Sequence, residues 1–253
     1  MRKKMNRYLK NLEKIEFVVT YACTGRCRHC SEGDHASCGK RIDPAVAALA
    51  VRKLAAEYDI KTVMTFGGEP MLYPEAVYAV MEAAKELNIP KRQVITNGYF
   101  SKDAAKIAEV AARLAECGVN DLRVSADAFH QEFIPIEPVR TFALEAKRAG
   151  VPIRIQPAWL VSKDDGNPYN ARTKEILAGF SALGIDESDG NVIFPEGNAL
   201  KYFSEYFTEV LPENPYVEDP EDVRCISFDP DGSVLGSNVY ERDILSILDE
   251  YKP

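Results

Sequence analysis

Apolar and polar positions repeat along the first 200 residues as a short apolar run, a turn and an amphipathic segment with apolar residues three and four positions apart. The predicted strands are Ile15–Thr20, Thr62–Phe66, Gln93–Thr96, Asp121–Ser125, Val151–Gln156 and Asn191–Phe194. The helices predicted after the first five are Asp43–Tyr58, Pro74–Leu87, Ser101–Cys117, Pro138–Ala149 and Asn170–Leu183. This alternation predicts an α/β fold with a parallel sheet, either doubly wound or closed into an incomplete barrel.

Capping residues mark the ends of several predicted helices. Asp43 followed by Pro44 predicts an N-cap, and Ser101 predicts another. Gly118 and Gly150 come directly after predicted helices and suit left-handed C-terminal stops.

The fourth and fifth predicted strands each have a polar face, which is unusual for a parallel strand buried on both sides. The polar faces consist of Arg123, Ser125 and Asp127 in one strand and of Arg154 and Gln156 in the other. In a barrel these residues would line an interior that holds a polar ligand, and the two arginines could hold a carboxylate. In an edge strand they would face solvent instead.

The pattern changes after the sixth predicted strand. Residues 195–224 are rich in proline and aromatic residues, which favours an irregular appendage. Two short β runs then flank Asp229–Gly232, whose composition predicts a hairpin turn, and a final helix is expected over Arg242–Tyr251.

Composition excludes several classes of protein. Acidic residues outnumber basic ones 39 to 31, which argues against a nucleic-acid binder. No run of 18 apolar residues occurs, so we expect no membrane-spanning helix, and the basic N-terminus lacks the apolar stretch of a secretory signal. Six cysteines in 253 residues are too few for a disulfide scaffold. Three of them fall close together, which predicts a metal site in a reducing compartment, here the cytoplasm.

Those three cysteines, Cys23, Cys27 and Cys30, follow the first predicted strand. Three thiolates on one loop can bind a soft metal ion or an iron–sulfur cluster. A closed structural site would need a fourth ligand, for which Cys38 is conceivable, whereas His29 is too close to Cys30 in sequence. The alternative is a fourth position left open for a substrate.

The chain resembles the radical SAM superfamily in five segments. The C-x3-C-x2-C spacing of the three cysteines matches its cluster loop, and Gly67-Gly68-Glu69-Pro70 after the second strand matches its GGEP motif. Weaker matches are Ile95–Gly98, Val124–Ala128 and Phe194–Ala199. The resemblance covers roughly residues 14–200.

The resemblance implies a partial (βα)6 TIM-like barrel over residues 14–200, preceded by an extension at 1–13. A short C-terminal extension at 201–253 would contain the β-hairpin and the final helix. It also implies a [4Fe-4S] cluster and S-adenosylmethionine (SAM), with electrons from a low-potential donor such as a flavodoxin or ferredoxin. The expected activity is reductive cleavage of SAM to a 5′-deoxyadenosyl radical, which abstracts a hydrogen atom from a peptide or protein. A small-molecule substrate is the alternative within this chemistry, and a non-catalytic iron–sulfur or zinc module is the alternative of another class.

Site roles also follow from the resemblance. Cys23, Cys27 and Cys30 would bind three irons, and the fourth iron would bind SAM. The remaining SAM-binding candidates are His29, Gly67, Gly68, Glu69, Pro70, Asn97, Ser125, Asp127 and Gln156. Gly67 and Gly68 would let the backbone approach the methionyl amine, and Glu69 and Pro70 would fix that turn. Ser125 and Asp127 would contact the ribose or the carboxylate. His29 would lie beside the adenine, or else be an exposed loop histidine.

Some of the remaining cysteines and histidines have two interpretations, and the others have one. Cys225 resembles the first cysteine of a SPASM or twitch extension, but no cysteine follows it, so we expect no second cluster. It is either a buried small side chain or a catalytic thiol that returns a hydrogen atom to a substrate radical. Cys117 is expected in the core, and Cys38 is either a loop thiol or an active-site participant. His130 either binds substrate or relays a proton, or makes an ordinary loop hydrogen bond, and His35 is expected to be solvated.

Overall fold

The computed structural model describes residues 5–34, 39–207 and 214–253. The strands are β1 Lys14–Val18, β2 Thr62–Phe66, β3 Lys91–Thr96, β4 Asp121–Ser125, β5 Ile153–Gln156, β6 Ala158–Trp159, β7 Asn191–Val192, β8 Cys225–Phe228, β9 Ser233–Val234 and β10 Ser237–Asn238. The helices are α1 Pro44–Glu57, α2 Pro74–Glu86, α3 Ala104–Glu116, α4 Ile136–Arg148, α5 Pro168–Ser181, α6 Gly197–Phe203 and α7 Ile244–Glu250. The second and fourth strands have the bounds that the sequence predicts.

The main sheet has the order β5-β4-β3-β2-β1-β8, and every neighbouring pair in it is parallel. The sixth predicted strand, β7, does not join this sheet but pairs in parallel with β6, a strand that the sequence did not predict. An isolated bridge between Ile155 and Glu187 links the two sheets. The architecture confirms the expected partial barrel with helical crossovers.

The predicted C-terminal β-hairpin and final helix are confirmed, but the turn at Asp229–Gly232 does not join two paired strands. The strand before this turn, β8, pairs in parallel with β1, and the antiparallel hairpin consists of β9 and β10. The physical reason is burial, because Ile226 and Phe228 are at most 1% exposed and Phe228 stacks on Phe17 with ring centroids 4.8 Å apart. An apolar face of this size is more stable against the barrel than in an isolated two-stranded ribbon.

Two other details differ from the sequence prediction. Helix α3 is capped by Asp103, whose carboxylate accepts from the N–H groups of Ala105 and Lys106. Ser101, two residues earlier, accepts from the Asp103 N–H. The segment predicted to be irregular contains helix α6. The Asp43 cap and the positive φ of Gly118 and Gly150 are as predicted.

The core lies between the sheet and its helices. The apolar side chains of each strand alternate, so that Ile15, Phe17, Val63, Val94 and Leu122 face this core and are 0% exposed. The intervening side chains of β1–β5 are thereby directed to the other face of the sheet, where the cavity lies. No helix in the described ranges combines the length and the apolar character needed to cross a bilayer.

Candidate functional site

A cavity of about 960 Å³ occupies the inner face of the barrel. Its lining brings together the three loop cysteines and most of the residues that the sequence nominates for SAM, namely His29, Gly67, Gly68, Asn97, Ser125, Asp127 and Gln156. The cysteine loop leaves the carboxyl end of β1, and the other residues lie at or beyond the carboxyl ends of β2 to β5. In parallel α/β folds this is the edge at which ligands bind.

The cysteine loop presents one buried thiol, Cys27, and two partly buried ones, Cys23 and Cys30, which are close enough to influence one another. Burial raises the pKa of Cys23 to about 11, and it also raises the pKa of Cys27 and of Cys30. Cys23 and Cys30 each add to the pKa shift of Cys27. Such thiols are poor anions on their own, and a soft metal that displaces their protons suits this donor set.

The second strand ends in direct contact with this loop. A Cβ atom on Gly68 would lie 2.2 Å from the Ala22 carbonyl oxygen, and the Gly68 and Glu69 N–H groups donate to Thr20 and Ala22 at 2.8 Å. Gly67 has a φ of +131° and also lies too close to the Thr20 carbonyl for a side chain. The glycines are therefore required for packing between the two segments.

Glu69 is 0% exposed and connects β2 to β3. One carboxylate oxygen accepts from Thr96 Oγ1 at 2.7 Å and from the Met71 N–H at 2.8 Å, and the other accepts from the Asn97 N–H at 2.8 Å. Burial raises the pKa of Glu69 to about 7 in spite of these donors. Pro70 is also buried and begins a short 3-10 turn, which completes this rigid corner.

Asn97, held by Glu69, reaches the cysteine loop. Its Nδ2 lies 3.6 Å from Cys23 Sγ and 3.1 Å from Thr24 Oγ1. The chain of contacts therefore runs from the buried Glu69 through Asn97 to the first cysteine.

Asp127 and two histidines form a cluster beside the loop. The buried Asp127 carboxylate accepts from the N–H groups of Phe129, His130 and Ala158 and bonds His130 Nδ1 at 2.8 Å. Burial alone would raise the pKa of Asp127, but His130 outweighs this and holds the pKa at about 2. The rings of His130 and His29 are 4.7 Å apart.

His29 belongs to this cluster and lies in the lining of the cavity. Its Nδ1 is buried and has no hydrogen-bond partner among the described residues. Burial lowers the pKa of His29 to about 4, so the ring is neutral at pH 7. A neutral imidazole with an unsatisfied nitrogen, at the edge of the cavity, fits a planar heteroaromatic ligand such as adenine.

Gln156 lies at the end of β5 opposite Ser125 in the strand register. Its Oε1 accepts from Arg123 Nη1 at 3.0 Å and from Ser188 Oγ at 2.6 Å, and its Nε2 donates to Asn191 at 3.2 Å. Its amide is therefore held in one orientation by three neighbours.

One residue that supports the cysteine loop was given no role by the sequence. Asn198 donates its backbone N–H to the Cys30 carbonyl at 2.9 Å and its Nδ2 to the Cys27 carbonyl at 3.3 Å. A Cβ on the adjacent Gly197 would lie 2.2 Å from the Ser31 carbonyl. The glycine in the Phe194–Ala199 segment was the available signal, because it marks a close approach of two backbones.

The other cysteines are spread over the molecule. Cys117 is 0% exposed, as predicted for a core residue. Cys225 pairs in register with Lys14, at the end of the strands opposite the cysteine loop, and its thiol contacts Glu16. Cys38 and His35 lie outside the described residues, so the fourth-ligand hypothesis for Cys38 stays a prediction.

A family model described as the Radical SAM superfamily matches residues 17–196. This match covers well over half of the chain and includes the cysteine loop and the GGEP corner, and it ends two residues before Asn198.

Among curated proteins, the chain is similar to several that are named probable GTP 3′,8-cyclase. It is 26% identical over 226 residues to that of Saccharolobus islandicus strain L.S.2.15, covering 81% of this chain and 68% of the relative. It is 24% identical over 209 residues to that of Metallosphaera sedula, covering 79% and 62%. The chain therefore spans about two thirds of the length of these relatives.

Solved structures show the same fold. Streptococcus suis SuiB bound to S-adenosylmethionine superposes with a TM-score of 0.62 at 14% identity, covering 95% of this chain and 66% of that one. Native anSMEcpe with bound AdoMet superposes with a TM-score of 0.61 at 14% identity, covering 95% and 81%.

Proposed function

This chain belongs to the radical SAM superfamily, and from that premise we propose that it abstracts a hydrogen atom from a small polar molecule enclosed in the barrel cavity. Its cofactors are a [4Fe-4S] cluster and SAM. When bound, they supply a 5′-deoxyadenosyl radical that removes a hydrogen atom from an otherwise unreactive C–H bond. The observation that carries the proposal is that three thiols, the glycine corner and the unsatisfied His29 nitrogen lie together at one mouth of one cavity.

The residues of this chain position the cofactors. We assign Cys23, Cys27 and Cys30 as the cluster ligands and His29 as the adenine contact. The backbone of Gly67 and Gly68 and the side chains of Asn97, Ser125 and Gln156 line the same cavity and are assigned to SAM. Glu69 and Pro70 are buried behind them and Asp127 is buried in the cavity wall, and we assign these three to holding the contact residues in place.

The charge of the cavity bears on the substrate. The described side chains that line it include three cations, Lys14, Arg26 and Arg123, and five acids, Glu16, Glu32, Asp34, Asp127 and Glu196. A lining with more acids than cations suits SAM, because the two positive groups of SAM, its sulfonium and its ammonium, outnumber its single carboxylate. It disfavours a triphosphate, which would need a surplus of cations, so we do not extend the relatives' GTP to this chain.

A peptide substrate is the second candidate. Tyr216 and Val217 are 56% and 76% exposed, and Tyr216 lines the cavity and contacts Phe194. An exposed apolar rim of this kind could hold an extended peptide at the side opening of the barrel.

Anaerobic reconstitution with iron and sulfide, followed by SAM and dithionite, tests the proposal. We expect 5′-deoxyadenosine, and a flavodoxin or ferredoxin should replace dithionite as the electron donor. The triple Cys→Ala variant of the loop should form none. A zinc ion held by four protein ligands, with no 5′-deoxyadenosine, would support the non-catalytic module instead.

We keep Cys225 as the proposed hydrogen-atom donor, and this role requires a substrate that extends past Glu16, because Cys225 lies opposite the cysteine loop and is outside the cavity lining. Burial raises the pKa of Cys225, which keeps the sulfur protonated as a donor requires. A Cys225→Ala variant should still cleave SAM but fail to complete turnover, and unchanged product formation would end this assignment. Ser227→Ala, on the same face of β8, is the matched control.

A further inference from the structure

The cavity has two chemically unlike walls below the cofactor mouth. The apolar side chains contributed by strands β1 to β3 are Val18, Met64, Phe66 and Ile95, and the same strands also contribute Lys14, Glu16, Gln93 and Thr96. Strands β4, β5 and β7 contribute the polar side chains Arg123, Ser125, Gln156 and Asn191. The strand register sets Arg123 directly beside Ile95, so the change from apolar to polar occurs between β3 and β4. A substrate that fills this space has to match both walls.

Arg123 is the cation on the polar wall, and it is held in a fixed orientation. Its Nε donates to Asp121 at 2.6 Å, its Nη2 reaches the other Asp121 oxygen at 3.4 Å, and its Nη1 donates to Gln156 at 3.0 Å. A guanidinium has five N–H donors, so one on each Nη remains for a ligand. The side chain is 14% exposed, and that exposure is to the cavity.

The positive charges around Asp121 outnumber its single negative charge. Arg123, Lys91 and Arg154 lie within 2.6, 3.2 and 3.6 Å of this single carboxylate. Lys91 and Arg154 are about half exposed and therefore screened by water, whereas Arg123 is enclosed. The local excess of positive charge can accept one anionic group, although the cavity as a whole excludes a polyanion.

We propose that the substrate carries one anionic group, a carboxylate or a single phosphate, that binds Arg123, and an apolar portion that packs on the β1–β3 wall. The inference rests on the proposed function, because it takes this cavity to be the substrate chamber. The apolar carbons would lie beside the anion, because Ile95 stands level with Arg123 in the strand register.

Three small probes test the proposal on the reconstituted protein with SAM bound: 4-methylpentanoate, isopentyl phosphate and the neutral 4-methylpentanamide. Binding is measured by ligand-observed NMR titration. We expect at least one anion to bind about tenfold more tightly than the amide, and the tighter anion identifies carboxylate or phosphate as the group. Equal affinities for all three probes would overturn the inference.

Variants of Arg123 and Arg154 test which residue is responsible for the preference for the anionic probe. Arg123→Gln should abolish the preference for the anion, and Arg123→Lys should keep part of it. Arg154→Gln removes a charge from the same carboxylate outside the cavity lining and should change the affinity less than threefold. Loss of the preference in Arg154→Gln to the same extent as in Arg123→Gln would show a general field effect and would overturn the contact. Thermal unfolding of each variant, and its retention of amide binding, confirm that the fold is intact.

The same preparation is assayed for 5′-deoxyadenosine. SAM cleavage without discrimination among the probes overturns the inference alone. Discrimination that depends on Arg123 without SAM cleavage overturns the proposed function and leaves the anion site standing.

Discussion

Asp127 Oδ2 and His130 Nδ1 are joined by a hydrogen bond of 2.8 Å, and the same carboxylate also caps the backbone that carries the histidine. The aspartate thereby fixes the ring, whose centroid lies 4.7 Å from that of His29. This geometry is compatible with both interpretations of His130, the loop hydrogen bond and the proton relay, because the same hydrogen bond would orient the ring for a relay.

Replacing Asp127 with asparagine should destabilise the protein by about 2 kcal/mol. The amide can still accept at Oδ1, but its NH₂ group would face the Ala158 N–H, which now donates to Oδ2 at 3.0 Å. A buried donor would therefore lose its partner. Urea unfolding followed by circular dichroism measures the change.

The matched control is Asp164→Asn, at an exposed position, which should unfold within about 0.5 kcal/mol of the wild-type protein. Equal unfolding free energies for the Asp127 and Asp164 variants would contradict the assignment of Asp127 as the group that organises this loop.

Glu69 should make stability depend on pH in an accessible range. Its pKa is raised by burial from 4.5 to about 7, so the folded protein keeps a proton that the unfolded chain releases between these values. Stability therefore falls as pH rises through this window and is level above it. Relative to Glu69→Gln, the wild-type protein should lose about 3 kcal/mol between pH 4.5 and pH 7.

The measurement is denaturant unfolding of iron-free protein at several pH values, so that cluster loss makes no contribution. Glu57→Gln, at an exposed position on α1, should reproduce the wild-type profile. A Glu69→Gln profile parallel to that of the wild-type protein would show that the carboxylate does not titrate in this range.

The sequence predicted the repeating units and the loop chemistry because both are local. The strand Thr62–Phe66 and the glycines after it follow from composition and spacing, and the structure keeps these bounds. The pairing of β8 with β1 could not be predicted, because it joins residues more than 200 positions apart through burial of Phe228 against Phe17.

The same limit applies within the site. Alternation grouped Arg154 with Gln156, yet Gln156 lines the cavity and the Arg154 side chain is 50% exposed. Strand periodicity predicts the face of the sheet on which a side chain lies. It does not predict whether that side chain is enclosed by the barrel or exposed at its rim. The support that Asn198 gives to the cysteine loop likewise depends on a contact between distant segments.

Substituting Gly68 with alanine should displace the cysteine loop. The added Cβ would lie 2.2 Å from the Ala22 carbonyl oxygen and 2.5 Å from that of Tyr21, and these are backbone atoms that no side-chain rotation can move. We expect a loss of about 1–3 kcal/mol of stability, as for an overpacked core, together with a lower iron content after reconstitution. Gly166→Ala is the matched control, since nothing lies within 4 Å of its added Cβ. Iron and sulfide assays with thermal unfolding measure both effects, and a Gly68→Ala protein that loads iron as fully as the Gly166→Ala protein would show that the loop does not depend on this close packing.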